Sequence, residues 1–262
     1  MSNSKTALIT GASSGIGAVY AQRLAARGYG LVLVARRAER LEQLAAELRN
    51  NHAVSVRTIA ADLTQDADTA RVEQLLRDEQ IDLLLNNAGM GPAKSTADLS
   101  DADAAATLTL NVTALMRLTR AVLPGMRARK SGAIVNVGSV LALHALPMTS
   151  LYSATKAFVL TYSRGIQQEV KEDGILVQAV LPAGTITDFY ESAGMSIDNF
   201  DRSVFMTAEQ LVDAALVGLD RGEEVTLPSV HDAALWAEYD AARQILFGGT
   251  QNGSPAERYQ AA

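Results

Sequence analysis

The alternation of short apolar runs with longer helix-like segments most constrains the fold of this 262-residue chain. Strands that are covered on both sides appear as short apolar runs, and strands that alternate with helices form a parallel sheet with helices on both faces. The predicted strands are Thr6–Thr10, Gly30–Ala35, Ser55–Ala60, Leu83–Asn86, Ala133–Ser139, Leu176–Leu181 and Glu224–Leu227. The predicted helices are Gly15–Arg27, Arg37–Arg49, Asp66–Glu79, Ala102–Arg129, Ser150–Lys171, Ala208–Asp220 and Ala233–Leu246. We therefore predict a single α/β domain over residues 1–262, with a doubly wound parallel sheet of about seven strands.

Charge and residue content exclude several classes of function. The formal net charge of −6 argues against nucleic acid or an anionic membrane as the main partner. The absence of cysteine excludes disulfides, zinc–thiolate sites and thiol catalysis, and three histidines are too scattered to predict a metal site. Residues 1–5 lead directly into the first predicted strand, and no apolar run reaches the length that spans a bilayer. We expect a cytoplasmic protein without a metal or a membrane partner.

A glycine-rich run follows the first predicted strand. Residues 11–17 read Gly-Ala-Ser-Ser-Gly-Ile-Gly and precede the first predicted helix. Glycines allow a tight turn and the close approach of a pyrophosphate, and a helix N-terminus offers unpaired N–H groups to an anion. The spacing matches the common dinucleotide fingerprint only approximately, and an ordinary loop is the alternative. The candidate cofactor-binding residues here are Gly11, Ser13, Ser14, Gly15, Ile16 and Gly17.

Three residues in the middle of the chain form the pattern of an acid–base site. Tyr152 and Lys156 are four residues apart in a predicted helix and share one face, and Ser139 lies thirteen residues before the tyrosine. A phenol has an ordinary pKa of about 10, and a nearby ammonium lowers that pKa because it favours the phenolate. A serine hydroxyl beside them could hold a carbonyl oxygen during proton transfer. By itself the spacing is also typical of a surface tyrosine beside a solvated lysine.

Together these motifs resemble those of the short-chain dehydrogenase/reductase family, over roughly residues 5–188. The matching residues, in the family's order and spacing, are Thr10-Gly11-x-x-x-Gly15-Ile16-Gly17, Asp62-Leu63, Asn86-Asn87-Ala88-Gly89, Asn111, Ser139, Tyr152 and Lys156. The resemblance implies a Rossmann-type fold, a nicotinamide cofactor, and a catalytic tetrad of Asn111, Ser139, Tyr152 and Lys156. It also implies that Asn111 holds a water linking Lys156 to solvent, and that Lys156 binds the nicotinamide ribose.

Two arginines at the end of the second predicted strand bear on the choice of cofactor. In dinucleotide-binding folds an acid at this position binds the ribose 2′-hydroxyl, whereas an arginine accommodates a 2′-phosphate. Residues 34–37 read Val-Ala-Arg-Arg and contain no acid. Arg36 and Arg37 therefore favour NADP(H) over NAD(H), and two solvated arginines that open a helix are the alternative.

Two further strand ends supply candidates for cofactor contacts. The resemblance places Asp62 and Leu63 against the adenine ring, and a helix-capping role is the alternative for Asp62. Asn87, Ala88 and Gly89 close the fourth predicted strand, where small residues let the backbone pass close to a cofactor.

The segment after the sixth predicted strand is implied by the resemblance to bind the nicotinamide carboxamide. The family usually has Pro-Gly here, whereas this chain reads Pro-Ala-Gly at residues 182–184. Pro182, Thr185 and Thr187 are therefore all candidates.

Residues 188–206 are predicted to form a substrate flap. Its apolar members either line a pocket for a moderately hydrophobic ketone or aldehyde, or only pack the flap onto the sheet. These members are Phe189, Tyr190, Met195, Ile197, Phe200, Phe205 and Met206. His144 could also face a substrate, although a surface or core position is more common for such a residue. After the flap we expect an extra helix over residues 233–246 and a polar, mobile tail over residues 248–262.

These interpretations converge on an NADPH-dependent carbonyl reductase or alcohol dehydrogenase that acts on a small-molecule carbonyl or alcohol, with Tyr152 as the general acid and base. The alternatives are an NAD-dependent alcohol dehydrogenase that works oxidatively, and a non-enzymatic dinucleotide sensor on the same fold. The sensor interpretation predicts a damaged tyrosine–lysine pair, and this chain retains both residues.

A homodimer is expected, since a two-fold dimer is the commonest oligomer. The predicted helices at 102–129 and 150–171 carry apolar residues beyond those that one sheet face needs, among them Leu110, Leu115, Phe158 and Leu160. In resembling proteins these two helices pair with their symmetry mates.

Overall fold

A seven-stranded parallel sheet forms the centre of the fold in the computed structural model, which describes residues 5–259. The strands are β1 (Thr6–Thr10), β2 (Gly30–Ala35), β3 (Val56–Ala60), β4 (Leu83–Asn86), β5 (Gly132–Val137), β6 (Ile175–Val180) and β9 (Val225–Thr226). Their order is β3-β2-β1-β4-β5-β6-β9, and each neighbouring pair is parallel. The predicted doubly wound sheet is confirmed.

Helices cover both faces of the sheet. They are α1 (Gly15–Ala26), α2 (Ala38–His52), α3 (Asp66–Asp78), α4 (Asp101–Leu108), α5 (Leu115–Arg129), α6 (Ser150–Val170), α7 (Phe189–Ser192) and α8 (Ala208–Asp220). Neighbouring residues of one strand point to opposite faces. In β1, Ala7 and Ile9 pack with residues of α1, α2 and α8, whereas Leu8 packs with residues of α3, α5 and α6. Both faces are thus apolar, which explains the continuous apolar runs in the sequence.

The sheet has a switch point between β1 and β4. The chain moves outward from β1 through β2 to β3, and then returns to β4 on the other side of β1 before it continues to β5 and β6. In open parallel sheets, ligands bind beyond the carboxyl ends of the strands at such a point. The fold therefore places the residues that follow β1 and β4 where a cofactor binds.

The prediction of one regular helix over residues 102–129 was wrong. A π-helical segment, Thr109–Ala114, separates α4 from α5. Asn111 lies in this segment, and asparagine is unfavourable inside a regular helix because its side chain competes for backbone hydrogen bonds. Single π-helical turns occur frequently at functional sites.

The predicted flap is mostly irregular, with its two ends tied together. It contains the short helix α7 and 3-10 turns at Ile197–Asn199 and Arg202–Val204. Strands β7 (Thr185–Ile186) and β8 (Met206–Thr207) flank these elements and pair in parallel. This pairing closes the flap into a loop anchored at both ends.

The described residues after Ser229, up to residue 259, form a second compact unit, whose helix α9 spans Ala233–Gly249. The helix begins at Asp232, whose side chain accepts a 2.9 Å hydrogen bond from the Ala234 N–H, and it ends three residues beyond the predicted boundary. None of its residues is buried. The last three residues of the predicted mobile tail lie outside the described chain, and both the mobility and the single-domain assignment stay predictions. Among the helices of residues 5–259, none has the length and apolar character that crossing a membrane requires.

Candidate active site

A cleft of about 550 Å³ opens at the carboxyl ends of the central strands. It receives residues from the ends of β1, β2, β4, β5 and β6, as the switch point predicts. All of the predicted site residues line this cleft except Gly17 and Asn111, which lie directly behind it. Predicted site residues that are as far apart in the sequence as Gly11 and Thr187 are thereby brought together.

The glycine-rich loop is shaped by close backbone approaches. Gly11 and Gly15 have φ values of 66° and 54°, a conformation that favours glycine. A Cβ atom on Gly17 would lie 2.4 Å from the Gly11 carbonyl oxygen and 2.5 Å from Nδ2 of Asn87. Ser14 precedes α1 and its side chain makes no capping hydrogen bond, so the helix N-terminus is not capped by that residue. This arrangement fits the pyrophosphate of a dinucleotide.

Asn87 and Thr10 join the ends of β4 and β1. Nδ2 of Asn87 donates to the carbonyl oxygens of Thr10 and Gly11, at 3.0 and 3.2 Å. The backbone N–H groups of Asn87 and Ala88 both donate to Oγ1 of Thr10, each at 3.0 Å. These bonds fix the glycine-rich loop against the end of β4 at the switch point.

The predicted adenosine end of the cleft contains two arginines in different situations. Arg36 is exposed and has no hydrogen bond or ion pair to another residue of the chain within residues 5–259. Arg37 donates from Nη2 to the hydroxyls of Ser13 and Ser14, at 3.0 and 2.7 Å. The loop hydroxyls and Arg37 thus form one polar cluster, and Arg36 lies next to this cluster without a hydrogen bond to it.

Asp62 and Leu63 follow β3 and line the same end of the cleft. Oδ1 of Asp62 accepts hydrogen bonds from the N–H and the hydroxyl of Thr64, at 3.0 and 2.8 Å. The residue before α3 is Gln65, so Asp62 stabilises a local turn and does not cap the helix. The predicted adenine contact stays a prediction.

Tyr152, Lys156 and Ser139 meet in the middle of the cleft. Lys156 is buried, donates from Nζ to the Val137 carbonyl at 2.8 Å, and lies 5.6 Å from the centre of the Tyr152 ring. Ser139 begins the 3-10 turn Val140–Ala142, because β5 ends at Val137, two residues earlier than predicted. The predicted helix face and the end of the preceding strand β5 therefore do converge.

Burial is the main cause of the pKa shifts of Tyr152 and Lys156. Burial raises the pKa of Tyr152 above its ordinary value, a hydrogen bond with Ser139 acts in the opposite direction, and the nearby Tyr190 raises it further. Burial also lowers the pKa of Lys156 to about 8. The net pKa shift of the phenol is therefore upward, opposite to the expected lowering, because desolvation disfavours the charged phenolate.

Asn111 lies behind the cleft and is buried. Its Nδ2 donates to the Met90 carbonyl at 2.7 Å and to Oγ1 of Thr155 at 3.0 Å, and its Oδ1 accepts from the Met90 N–H at 2.9 Å. A Cβ atom on Gly89 would lie 3.5 Å from both Oδ1 of Asn111 and Nζ of Lys156. The side chain is thus held by protein groups beside Lys156, and its implied role in a water relay stays a prediction.

In the segment after β6, some polar groups make hydrogen bonds within the protein and others lie beside the glycine-rich loop. The Pro182 carbonyl accepts from the Val140 N–H at 2.9 Å. Thr185 is buried and its hydroxyl donates to the Ala183 carbonyl at 3.1 Å. The side chain of Thr187 faces the glycine-rich loop, since its methyl carbon would lie 3.1 Å from a Cβ atom on Gly15. Of the two threonines, Thr187 is the one beside the loop.

The flap's aromatic rings connect the cleft to the flap interior. Phe189 packs 5.5 Å from the Tyr152 ring, and Tyr190 lies 5.2 Å from Phe205 and 5.8 Å from Phe200. Some of the apolar flap residues therefore line the cleft, and others only pack within the flap. The members that line the cleft are Phe189, Tyr190, Met195 and Phe200, whereas Ile197, Phe205 and Met206 do not.

The sequence analysis missed several residues on the substrate side of the cleft. Leu146 and Met148 line it, although their exposed fractions are 48% and 52%. Gly91 packs so closely on Tyr152 that a Cβ atom there would lie 2.3 Å from the ring. An apolar run directly before the helix of Tyr152 was the available signal for Leu146 and Met148. His144 is exposed and is not among the lining residues.

Comparison with known proteins agrees with this geometry. Residues 5–196 match the family model of the short chain dehydrogenases. A short-chain dehydrogenase from Sphingobium yanoikuyae in complex with NADPH is 48% identical, with a TM-score of 0.94 over 97% of this chain and 100% of the other. The bulky-bulky ketone specific alcohol dehydrogenase from Comamonas testosteroni is 44% identical, with a TM-score of 0.90 over 99% of this chain and 100% of the other.

A more distant similarity extends to a longer protein. The very-long-chain 3-oxoacyl-CoA reductase-A of Danio rerio is 35% identical over 209 residues, which is 78% of this chain. The chain matches only 66% of the length of that reductase. Fold, cleft and sequence similarity agree, and the chain belongs to the short-chain dehydrogenase/reductase family of nicotinamide-dependent oxidoreductases.

Proposed function

We propose that the protein is an NADP(H)-dependent oxidoreductase that interconverts a bulky, apolar ketone and its secondary alcohol. The observation that carries this proposal is the convergence of Tyr152, Ser139 and Lys156 beneath a wall of apolar flap and loop side chains. Pockets of this kind bind apolar ligands and use a few polar groups to orient them. The resemblance to an alcohol dehydrogenase described as specific for bulky-bulky ketones supports the same substrate class.

The proton chemistry of the proposed reaction lies with Tyr152. Its raised pKa keeps the phenol protonated at neutral pH, which suits a donor to a carbonyl oxygen that is being reduced. Ser139, which lines the cleft beside Tyr152, holds the same oxygen. In the oxidative direction the phenol must first lose its proton, so we expect that direction to accelerate as the pH rises.

The nicotinamide cofactor supplies the hydride when it is bound. The glycine-rich loop would hold its pyrophosphate, Asp62 and Leu63 its adenine, and Lys156 its nicotinamide ribose. The segment from Pro182 to Thr187, together with residues 87–89, would hold the nicotinamide. Leu146, Met148 and the flap rings would exclude water from the reacting carbon.

A panel of carbonyl compounds with NADPH and NADH tests the proposal. We expect ketones with large groups on both sides of the carbonyl to be reduced faster than acetone-sized ketones, measured by the loss of the cofactor's absorbance. A failure to reduce any bulky ketone with either cofactor would contradict the proposal.

We predict a preference for NADPH over NADH that depends chiefly on Arg36. Its guanidinium is free of protein partners within residues 5–259, whereas that of Arg37 already binds two hydroxyls. The loss of a charge-assisted phosphate contact costs about 1.5–3 kcal/mol, or roughly ten- to a hundredfold in affinity. We therefore expect Arg36→Ala to weaken NADPH binding by that factor and to leave NADH binding nearly unchanged.

Direct titration of both cofactors checks this prediction. The exposed Arg221, at the end of α8 and outside the cleft, provides a matched control, and Arg221→Ala should leave both affinities unchanged. Wild-type protein that binds NADH as tightly as NADPH would refute the preference.

We propose that the protein assembles as a homodimer, although two of the four apolar residues that suggested it are buried within their own chain. Leu115 and Leu160 are each only 7% exposed and pack inside their own chain. Leu110 packs against the core and lines the cleft. Among the apolar side chains that stay accessible on these helices are Leu108, which is 45% exposed, and the stacked rings of Phe158 and Tyr162. Light scattering at micromolar concentration should give the mass of two chains. A mass near four chains that falls to two after deletion beyond Pro228 would show that the C-terminal unit builds a second interface.

A further inference from the structure

Ion pairs connect the base of the flap to the predicted adenosine end of the cleft. Asp188 immediately precedes α7, and its Oδ2 lies 3.2 Å from Nη1 of Arg40 and 3.6 Å from Nη1 of Arg37. Arg37 also donates to the hydroxyls of Ser13 and Ser14 in the glycine-rich loop. A continuous polar chain therefore runs from the flap, over the loop, to the start of α2.

Arg37 and Arg40 form an anion site, and the carboxylate of Asp188 occupies it. Guanidinium groups bind carboxylates and phosphates with the same donors. Within residues 5–259, Asp188 is the only acid that pairs with either arginine. The side chains of Arg37, Arg40 and Asp188 are 43%, 55% and 57% exposed, so an anion from solvent can replace the carboxylate.

We propose that Asp188 is a specificity-determining residue that competes with the cofactor's 2′-phosphate for Arg37 and Arg40. This inference rests on the proposed use of NADP(H). The carboxylate and the phosphate carry the same sign of charge and need the same donors. A phosphate held by Arg36 therefore gains further contacts with Arg37 and Arg40 only when Asp188 is displaced. A cofactor with a 2′-hydroxyl makes no such demand. Asp188 thereby reduces the difference in affinity between NADP(H) and NAD(H) that the arginines produce.

The same displacement acts on the flap. Asp188 follows Thr187, whose side chain packs over Gly15, and it precedes the helix that carries Phe189 and Tyr190. Release of the carboxylate from α2 removes one attachment of the flap beside the cleft. Binding of the 2′-phosphate and loosening of the flap base are then coupled, and this coupling is reciprocal.

The variant D188N tests the proposal, because the amide keeps the side-chain volume and loses the charge. Calorimetric titration at low ionic strength would compare NADPH with NADH, and adenosine 2′,5′-bisphosphate with adenosine 5′-monophosphate. We expect D188N to bind the two 2′-phosphorylated ligands about two- to fivefold more tightly and the other two with unchanged affinity. The matched control is D198N, since Asp198 lies in the same flap but pairs with Arg202 on its own segment.

The adenosine ligands need neither nicotinamide nor turnover, so the result does not depend on the catalytic proposal. Unchanged affinities, equal changes for all four ligands, or weaker binding of the 2′-phosphorylated pair by D188N would overturn the role of Asp188. Wild-type protein without a preference for 2′-phosphorylated ligands would instead overturn the proposed cofactor. A gain in D188N that is confined to those ligands would still support competition by Asp188.

Discussion

Replacing Tyr152 by phenylalanine is expected to lower kcat by about 10²- to 10⁴-fold and to leave the affinity for NADPH nearly unchanged. The phenylalanine ring preserves the contacts with Gly91 and Phe189, so the cleft keeps its shape. Only the hydroxyl that exchanges a proton with the substrate oxygen is lost. Turnover of a bulky ketone, followed by cofactor absorbance, and NADPH binding, followed by fluorescence, measure the two effects separately.

Tyr162 provides the matched control for this experiment. It lies on the same helix, its ring stacks 5.3 Å from Phe158, and it does not line the cleft. Tyr162→Phe should therefore retain wild-type turnover. If Tyr152→Phe kept wild-type activity, or lost activity only because it no longer bound NADPH, the assignment of Tyr152 as the acid would be wrong.

Replacing Lys156 by methionine is expected to abolish turnover and yet to stabilise the fold at neutral pH. Burial lowers the pKa of Lys156 to about 8 from an ordinary value of 10.5. The charged lysine therefore disfavours the folded state by up to about 3 kcal/mol below pH 8. Loss of the hydrogen bond to the Val137 carbonyl opposes the gain by about 1 kcal/mol. We expect a net gain on the order of 1–2 kcal/mol in the free energy of unfolding.

The pH dependence identifies the cause of this stabilisation. Between about pH 8 and 10.5 the unfolded chain holds a proton that the folded Lys156 has released, so wild-type stability rises with pH relative to the methionine variant. Burial raises the pKa of Tyr20 and of Tyr152, so these tyrosines lower the stability of the folded state as the pH rises above their unfolded pKa. This effect is the same in the wild type and in the methionine variant.

Urea unfolding at several pH values between 7 and 10 measures this difference. Lys171→Met, at an exposed position just beyond the end of α6, should follow the wild-type curve. A Lys156→Met protein that is less stable than wild type at pH 7, or a difference that does not change with pH, would show that burial of this charge is not costly.

The architecture was largely predictable from the sequence because its signals are local. Each strand is a short apolar run, and residues such as Leu8 and Ile9 are apolar alike because the two faces of the sheet both meet helices. Gly11 and Gly17 mark a backbone that passes too close to its neighbours for a side chain, and Gly15 adopts a positive φ that favours glycine. The spacing of Tyr152 and Lys156 on one helix face likewise follows from helical periodicity alone.

Other features depend on contacts between distant segments, and no local pattern encodes them. In the π-helical segment, the Asn111 side chain makes hydrogen bonds with Met90 and Thr155, which lie in other parts of the chain. The direction of the Tyr152 pKa shift follows from the desolvation of the phenol by the elements around it.

The pairing of Asp188 with Arg37 and Arg40 joins residues about 150 positions apart, as in the Arg40–Asp188 hydrogen bond. The sequence by itself therefore determined the layers, the loop and the reactive residue types, because periodicity and glycine chemistry act within a few residues. Only the tertiary structure decided the protonation and the ion pairs of the site, because burial and charge proximity are properties of the assembled neighbourhood.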